Sequence, residues 1–149
     1  MKPAHIDLLV EGAAEGRTQP VEVEECGDEL YRVLYSPGWV EGIAAGDVIR
    51  VTDSASGQFE VVERGGNIAI KWAAGSEVGP ALDRADRILS ELGARRDGAI
   101  RKAAVWTVPV ASGFSAMESA MEQVCALIPG SDWWYGNVYD NSGKPLNWW

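Results

Sequence analysis

Histidine is nearly missing from this chain: His5 is the only one. A Ser-His-Asp or Cys-His relay needs an imidazole to take and return a proton, so such a relay has one possible base, in an N-terminal segment of the kind that frays. Cysteine is equally sparse. Cys26 and Cys125 lie far apart and form no CxxC pair, which argues against zinc, thioredoxin-like redox chemistry and a disulfide scaffold. A zinc site built from His5, Cys26 and Cys125 matches no recognised ligand spacing. Both cysteines read as free thiols of a reducing cytosol. No uninterrupted apolar run approaches the roughly 20 residues of a membrane helix. The start, Met1 to Asp7, enters a strand-like segment with neither a long apolar stretch nor a small-residue cleavage site, so the expected location is the cytoplasm.

Positive charge is also short. Thirteen Lys and Arg face 22 Asp and Glu, a net charge of −9, which disfavours nucleic acid as a direct partner. The glycine-rich stretches Gly42–Asp47 and Gly65-Gly66 lack the Gly-Lys-Ser/Thr of a phosphate loop and read as turns. The carboxylates read as solvent-facing strand positions, with no apolar pocket to raise a pKa for acid/base work. No catalytic, cofactor-binding or metal-binding residue is therefore assigned, no cofactor is expected, and the chain reads as a non-enzyme.

What is present describes a globular protein. The 149 residues are 46% hydrophobic and 23% charged, ordinary values for a packed domain. A chain of this length buries about two-thirds or more of its unfolded surface, enough for a core without metal or disulfide. Alternation of apolar and polar residues predicts strands at His5–Glu11, Pro20–Glu25, Glu29–Tyr35, Asp47–Thr52 and Gln58–Glu63, with a hairpin turn at Gly27-Asp28. Short strands at this spacing suggest a small curled sheet or barrel. After Gly65-Gly66 the pattern changes. A strand at Asn67–Ala73 precedes a helix over Pro80–Leu92 ended by Gly93. Strands at Arg95–Arg101 and Ala103–Val110 lead to a second helix over Ser115–Ile128, begun by the capping-box sequence Ser115–Glu118, and a last strand at Trp133–Tyr139. The expected fold is α+β: an acidic β-rich half over 1–65, then a ferredoxin-like βαββαβ half over 66–149 with both helices on one face of its sheet.

Two surface features stand out. Residues 1–65 hold thirteen carboxylates against five basic groups, net −8, and the densest cluster is Glu22, Glu24, Glu25, Asp28 and Glu29 at a strand end and its turn. As solvated surface it needs no function; as a docking patch it would speed encounter with a cationic protein. The second feature is aromatic. Trp133-Trp134-Tyr135 alternate faces within one strand, so at least one ring points outward or towards the other half. Trp148-Trp149 either fold back or remain exposed, and exposed aromatics are typical binding hot spots.

The segments Gln19–Glu24, Glu29–Val33, Ser36–Ile49, Leu89–Ala94 and Ala104–Pro109, with Gly46-Asp47-Val48 the sharpest element, resemble the bacterial family known as domain of unknown function 4265. The Trp-rich C-terminus lies outside that resemblance, and no catalytic residue comes with it. Small, acidic, standalone bacterial proteins of this kind often resemble immunity proteins. The implied function is neutralisation of a cognate basic toxin, commonly a nuclease, by protein–protein contact, without direct nucleic-acid or membrane binding. The expected partner-binding residues are Glu22, Glu24, Glu25, Asp28, Glu29, Trp133, Trp134, Trp148 and Trp149. The alternatives are a small-ligand-binding regulatory module, which would need a pocket lined by convergent polar groups, and a hydrolase with carboxylates paired in a cleft.

Overall fold

The computed structural model describes residues 3–11 and 16–149; Lys2 and Glu15 of the charge count lie outside them. The first five strands are β1 (Pro3–Leu9), β2 (Thr18–Gly27), β3 (Leu30–Val33), β4 (Val48–Asp53) and β5 (Gln58–Glu63). They pair antiparallel in chain order. Because side chains alternate across a strand, Val21 and Val23 of β2 share one face and pack with Leu8, Val33 and Ile49, joined by Val40 and Ile43 from the β3–β4 connection. The sheet curls until its edges meet: the Leu9 N–H donates to the Gly57 carbonyl at 2.9 Å. Gly57 is required there, since a Cβ would lie 2.7 Å from the Leu9 nitrogen.

The expected junction Gly65-Gly66 lies between β5 and β6 (Asn67–Ala73). There follow α1 (Leu82–Ser90), β7 (Arg95–Ile100), β8 (Ala103–Pro109), α2 (Phe114–Leu127) and β9 (Asp132–Tyr135). The second sheet is antiparallel with the order β7-β8-β6-β9. Ile68, Ile70 and Trp72 of β6 and their cross-strand partners Val108, Trp106 and Ala104 share a face, buried under Ala85 and Leu89 of α1 and Met117, Met121 and Val124 of α2. Both helices cover that face, and the fold is α+β. The opposite face carries Ala69, Lys71, Val105 and Thr107. The β3–β4 connection covers part of it, with Ala44 packed on Ala69 and Val105.

Two local expectations are corrected. The hairpin turn is Asp28-Glu29, one residue beyond Gly27-Asp28, because Gly27 pairs with Leu30 after a bulge at Cys26. Both turn residues have positive φ, 53° and 61°. Asp adopts that conformation with modest cost; Glu does not, and glycine is the preferred second residue of such a turn. Glu29→Gly should therefore raise the unfolding free energy by about 0.5 to 1 kcal/mol, read as a higher urea midpoint with unchanged slope. The capping box is not formed either. α2 starts one residue early at Phe114, with Gly113 at φ 89° as its N-cap and no side-chain cap. Glu118 instead accepts a hydrogen bond from the Tyr135 hydroxyl at 3.0 Å.

The Gly46-Asp47-Val48 element is a latch within the first half, fastening the β3–β4 connection to the Arg64-Gly65 end of that half. Asp47 is fully buried. Its carboxylate accepts from the Ala44 N–H at 3.0 Å, the Gly65 N–H at 2.9 Å and the Arg64 guanidinium at 3.3 Å. Burial pushes the Asp47 carboxyl above its ordinary pKa, and these three donors pull against it. The chains press so closely that a Cβ on Gly65 would lie 2.4 Å from the Gly46 carbonyl carbon.

Candidate functional site

A cleft of about 500 Å³ opens where the β3–β4 connection stops covering the second sheet. One wall is the Gln19–Glu22 stretch of β2 with the segment Tyr35–Trp39, and the floor is the sheet itself. The pairs Lys71–Val105 and Ala73–Ala103 put these four side chains on the face opposite the helix-covered core, towards the cleft. Small residues make the room: Ala73, Gly98, Ala99 and Ala103 all border it. Aromatic rings stand at its edges, with Trp39 58% exposed and Trp134 41% exposed.

Lys71 is a polar group of the floor, 2% exposed and flanked in its strand by the apolar run Ile68–Ile70 and Trp72-Ala73. Its Nζ lies 3.2 Å from Glu41 Oε1 and donates to the Val40 carbonyl at 3.1 Å. The Trp134 indole N–H donates to the same Glu41 oxygen at 3.4 Å, and Trp134 is the residue opposite Lys71 in the β6–β9 pair. Gly136 leaves the space the lysine stem needs, since a Cβ there would lie 2.8 Å from Lys71 Cε. Burial lowers the Lys71 pKa below its ordinary 10.5, and Glu41 offsets only part of that.

Asp97 sits beside the Tyr35–Trp39 wall. It is the extra residue of a bulge in β7, between Arg96 and Gly98, and the bulge turns its carboxylate inward until the side chain is wholly buried. The carboxylate accepts from the Ser36 N–H at 2.6 Å, from the Thr107 hydroxyl and from Arg95 Nε at 2.6 Å. Ser36 Oγ lies 2.6 Å from Thr107 Oγ1 and accepts from the Ala45 N–H at 3.0 Å. The proton order follows from this set. Thr107 donates to the carboxylate, so Ser36 donates to Thr107, and neither hydroxyl keeps a proton for a ligand. These residues fasten the wall of the cleft; they do not form a nucleophile relay.

Carboxylates thus occupy buried positions that strand alternation read as solvent-facing: Asp47 and Asp97 are enclosed. The expected binding residues are not brought together. Glu22, Glu25, Asp28 and Glu29 are exposed along β2 and its turn; Glu24 is half-buried with Arg32 at 3.9 Å. Glu22 alone of the five borders the cleft, and His5 lies 3.5 Å from its carboxylate. Of the tryptophans, Trp134 faces the cleft, while Trp133 packs on the helix-covered core. Trp148 folds back, its indole N–H donating to the Asn137 carbonyl at 2.9 Å and the Arg64 guanidinium over its ring. Trp149 is half-exposed against Phe114. Residues missed from the sequence are Lys71, Glu41, Trp39 and Asp97. A lysine inside an apolar strand and a glycine after Asp97 in a strand were the available signals.

Among the described residues no group of three or more His, Cys, Asp or Glu side chains could hold a metal ion, and no helix is long and apolar enough to cross a membrane.

These features define an α+β protein of two antiparallel sheets with an aromatic-edged cleft between them. The chain belongs to the family described as Domain of unknown function (DUF4265), whose model matches residues 20–126. That stretch carries the cleft residues except Gln19 and Trp134. No curated protein matches the chain. A solved structure described as "Novel crystal structure of a hypothetical protein from Neisseria gonorrhoeae" is similar, with a TM-score of 0.62 over 91% of this chain and 93% of that chain at 9% identity. The likeness is one of fold.

Proposed function

We propose that this protein is a non-catalytic binding protein that holds a small, partly aromatic ligand in the cleft between its two sheets. The observation that carries this reading is the cleft itself: a largely apolar floor with two partly exposed tryptophans at its edge and a few polar side chains, among them Gln19, Ser36 and Lys71, along its lining. Binding sites for small molecules combine concave apolar surface with a few placed polar groups, and this cleft has the volume for one. The second half is read as ferredoxin-like; the order β7-β8-β6-β9 and the helices sharing one face support that. The place of action is read as the cytoplasm, which the two free thiols support.

The test follows the indole N–H signals of the seven tryptophans by NMR while a library of aromatic fragments is added. Binding fragments should move the Trp39 and Trp134 signals and leave the buried Trp106 in place. Fragments that bind while moving neither would contradict the reading.

A second reading is neutralisation of a cognate basic toxin, favoured by the exposed carboxylates of Glu22, Glu25, Asp28 and Glu29 on one β-hairpin. Long-range attraction from such a patch acts mainly on the association rate. Stoichiometric copurification with a basic protein, lost when these four residues are neutralised together, would favour this reading over the first.

A further inference from the structure

We infer that the cleft selects a cationic ligand, an arylalkyl ammonium ion whose apolar body lies on the sheet while its charged head meets the edge tryptophans and Glu22. The inference rests on the cleft being the binding site and names the class of ligand it takes. Among the described residues, Glu22 and Asp97 are the carboxylates on its lining. Asp97 is already committed: wholly buried, it accepts from the Ser36 N–H, the Thr107 hydroxyl and Arg95. Glu22 keeps its charge available. Its side chain is 51% exposed, and its ion partner among the described residues is the exposed imidazole of His5 at 3.5 Å rather than a Lys or Arg.

The cationic groups of the lining and its walls are already matched. Among the described residues Lys71 is the one Lys or Arg on the lining; it is 2% exposed and its ammonium lies 3.2 Å from Glu41. Arg95, beside the wall, is bound to Asp97 at 2.6 Å. Arg101 and Lys102 lie in the β7–β8 turn beyond the lining, and Glu77 holds Arg101 at 2.9 Å. The rings point the same way. The face of an aromatic ring carries negative charge density and attracts a cation held against it. Trp134 spends its indole N–H on Glu41 at 3.4 Å, and an anion at that edge makes the ring face more electron-rich. The segment carrying Trp39 is fixed by its backbone N–H, which donates to Gln19 Oε1 at 2.9 Å. One cation already sits on an aromatic face at this rim, since the Arg95 guanidinium carbon lies 5.0 Å from the Tyr35 ring centroid. At longer range the net −8 of residues 1–65 draws cations and repels anions.

Three probes share one ring and differ in charge: 2-phenylethylamine, a cation near neutral pH; 2-phenylethanol, which is neutral; and 3-phenylpropionate, an anion. Each is titrated into the protein at low salt and neutral pH while the Trp39 and Trp134 indole N–H signals are followed by NMR. The amine should bind at least about fivefold tighter than the alcohol, and the anion should be the weakest of the three. Glu22→Gln, at an exposed position and close in shape, should remove most of the amine's advantage and leave the affinity for the alcohol unchanged. An amine bound no tighter than the alcohol, or an advantage undiminished in Glu22→Gln, overturns the inference. If the probes or other aromatic fragments move the two indole signals without that preference, the cationic class falls and the cleft stands. If neither probes nor fragments move them, both fall.

Discussion

Asp47→Ala should lower the unfolding free energy by about 3 to 5 kcal/mol, the range for removing one partner of a buried charged network. The Ala44 and Gly65 N–H groups would lose their acceptor, and Arg64, whose side chain is 22% exposed, would lose its counter-charge. Folded domains hold only about 5 to 15 kcal/mol in total, so the variant should be largely unfolded at modest urea concentrations. The comparison that isolates the cause is Glu60→Gln. It breaks the Arg50–Glu60 pair, which has the same kind of contact, 3.2 Å, but lies exposed. Exposed pairs contribute at most about 1 kcal/mol, so its urea midpoint should hardly move. Similar losses in the two variants would show that the family's sharpest motif is not the latch described here.

Lys71→Met should act in the opposite sense and raise stability by about 1 kcal/mol or more. Replacing a buried charge by an apolar side chain of similar length removes its desolvation cost, and Glu41, 37% exposed, keeps contact with water once its partner is gone. The pH dependence has a definite sign. Burial holds the folded-state pKa of Lys71 below 10.5, so in the window just under 10.5 the unfolded chain binds the proton that the native state has released. Stability contributed by this group then rises with pH through that window, and Lys71→Met should abolish the rise. Denaturation of both proteins across the alkaline range checks this. A lysine kept against a gain in stability is one retained for what it binds; a large destabilisation in Lys71→Met would instead make it a structural fastener.

Much of the fold was legible in the sequence because local patterns carry it. Val21 and Val23 alternating with Glu22 and Glu24 specify a half-buried strand whatever lies around them, and Leu82, Ala85 and Leu89 mark a helix face by spacing alone. The cleft was not legible, since it depends on contacts between distant segments. Alternation put Lys71 opposite Ile68, Ile70 and Trp72, a face that reads as solvent unless another layer covers it. The covering segment, around Val40 to Ala45, is irregular and has no period to reveal its destination. Asp97 was hidden because a bulge breaks alternation, and alternation within Trp133-Trp134-Tyr135 required one ring to point outward or towards the other half without a sign of which, or of the surface it would join. The turn at Asp28-Glu29 escaped for a related reason: an unpaired residue at Cys26 shifted the register by one.

Plugging the cleft tests its role most directly. Ala103 faces it beside Ala73 and is only half-buried, so Ala103→Phe fills the space without touching Lys71, Glu41 or either edge tryptophan. The fragments that move the Trp39 and Trp134 signals in the wild-type protein are titrated into this variant, with melting temperature as the folding control. Their affinity should fall at least about tenfold, equivalent to about 1.4 kcal/mol, while the melting temperature holds. Unchanged affinity in a folded Ala103→Phe protein would mean that the ligand sits elsewhere and that the cleft is not the binding site.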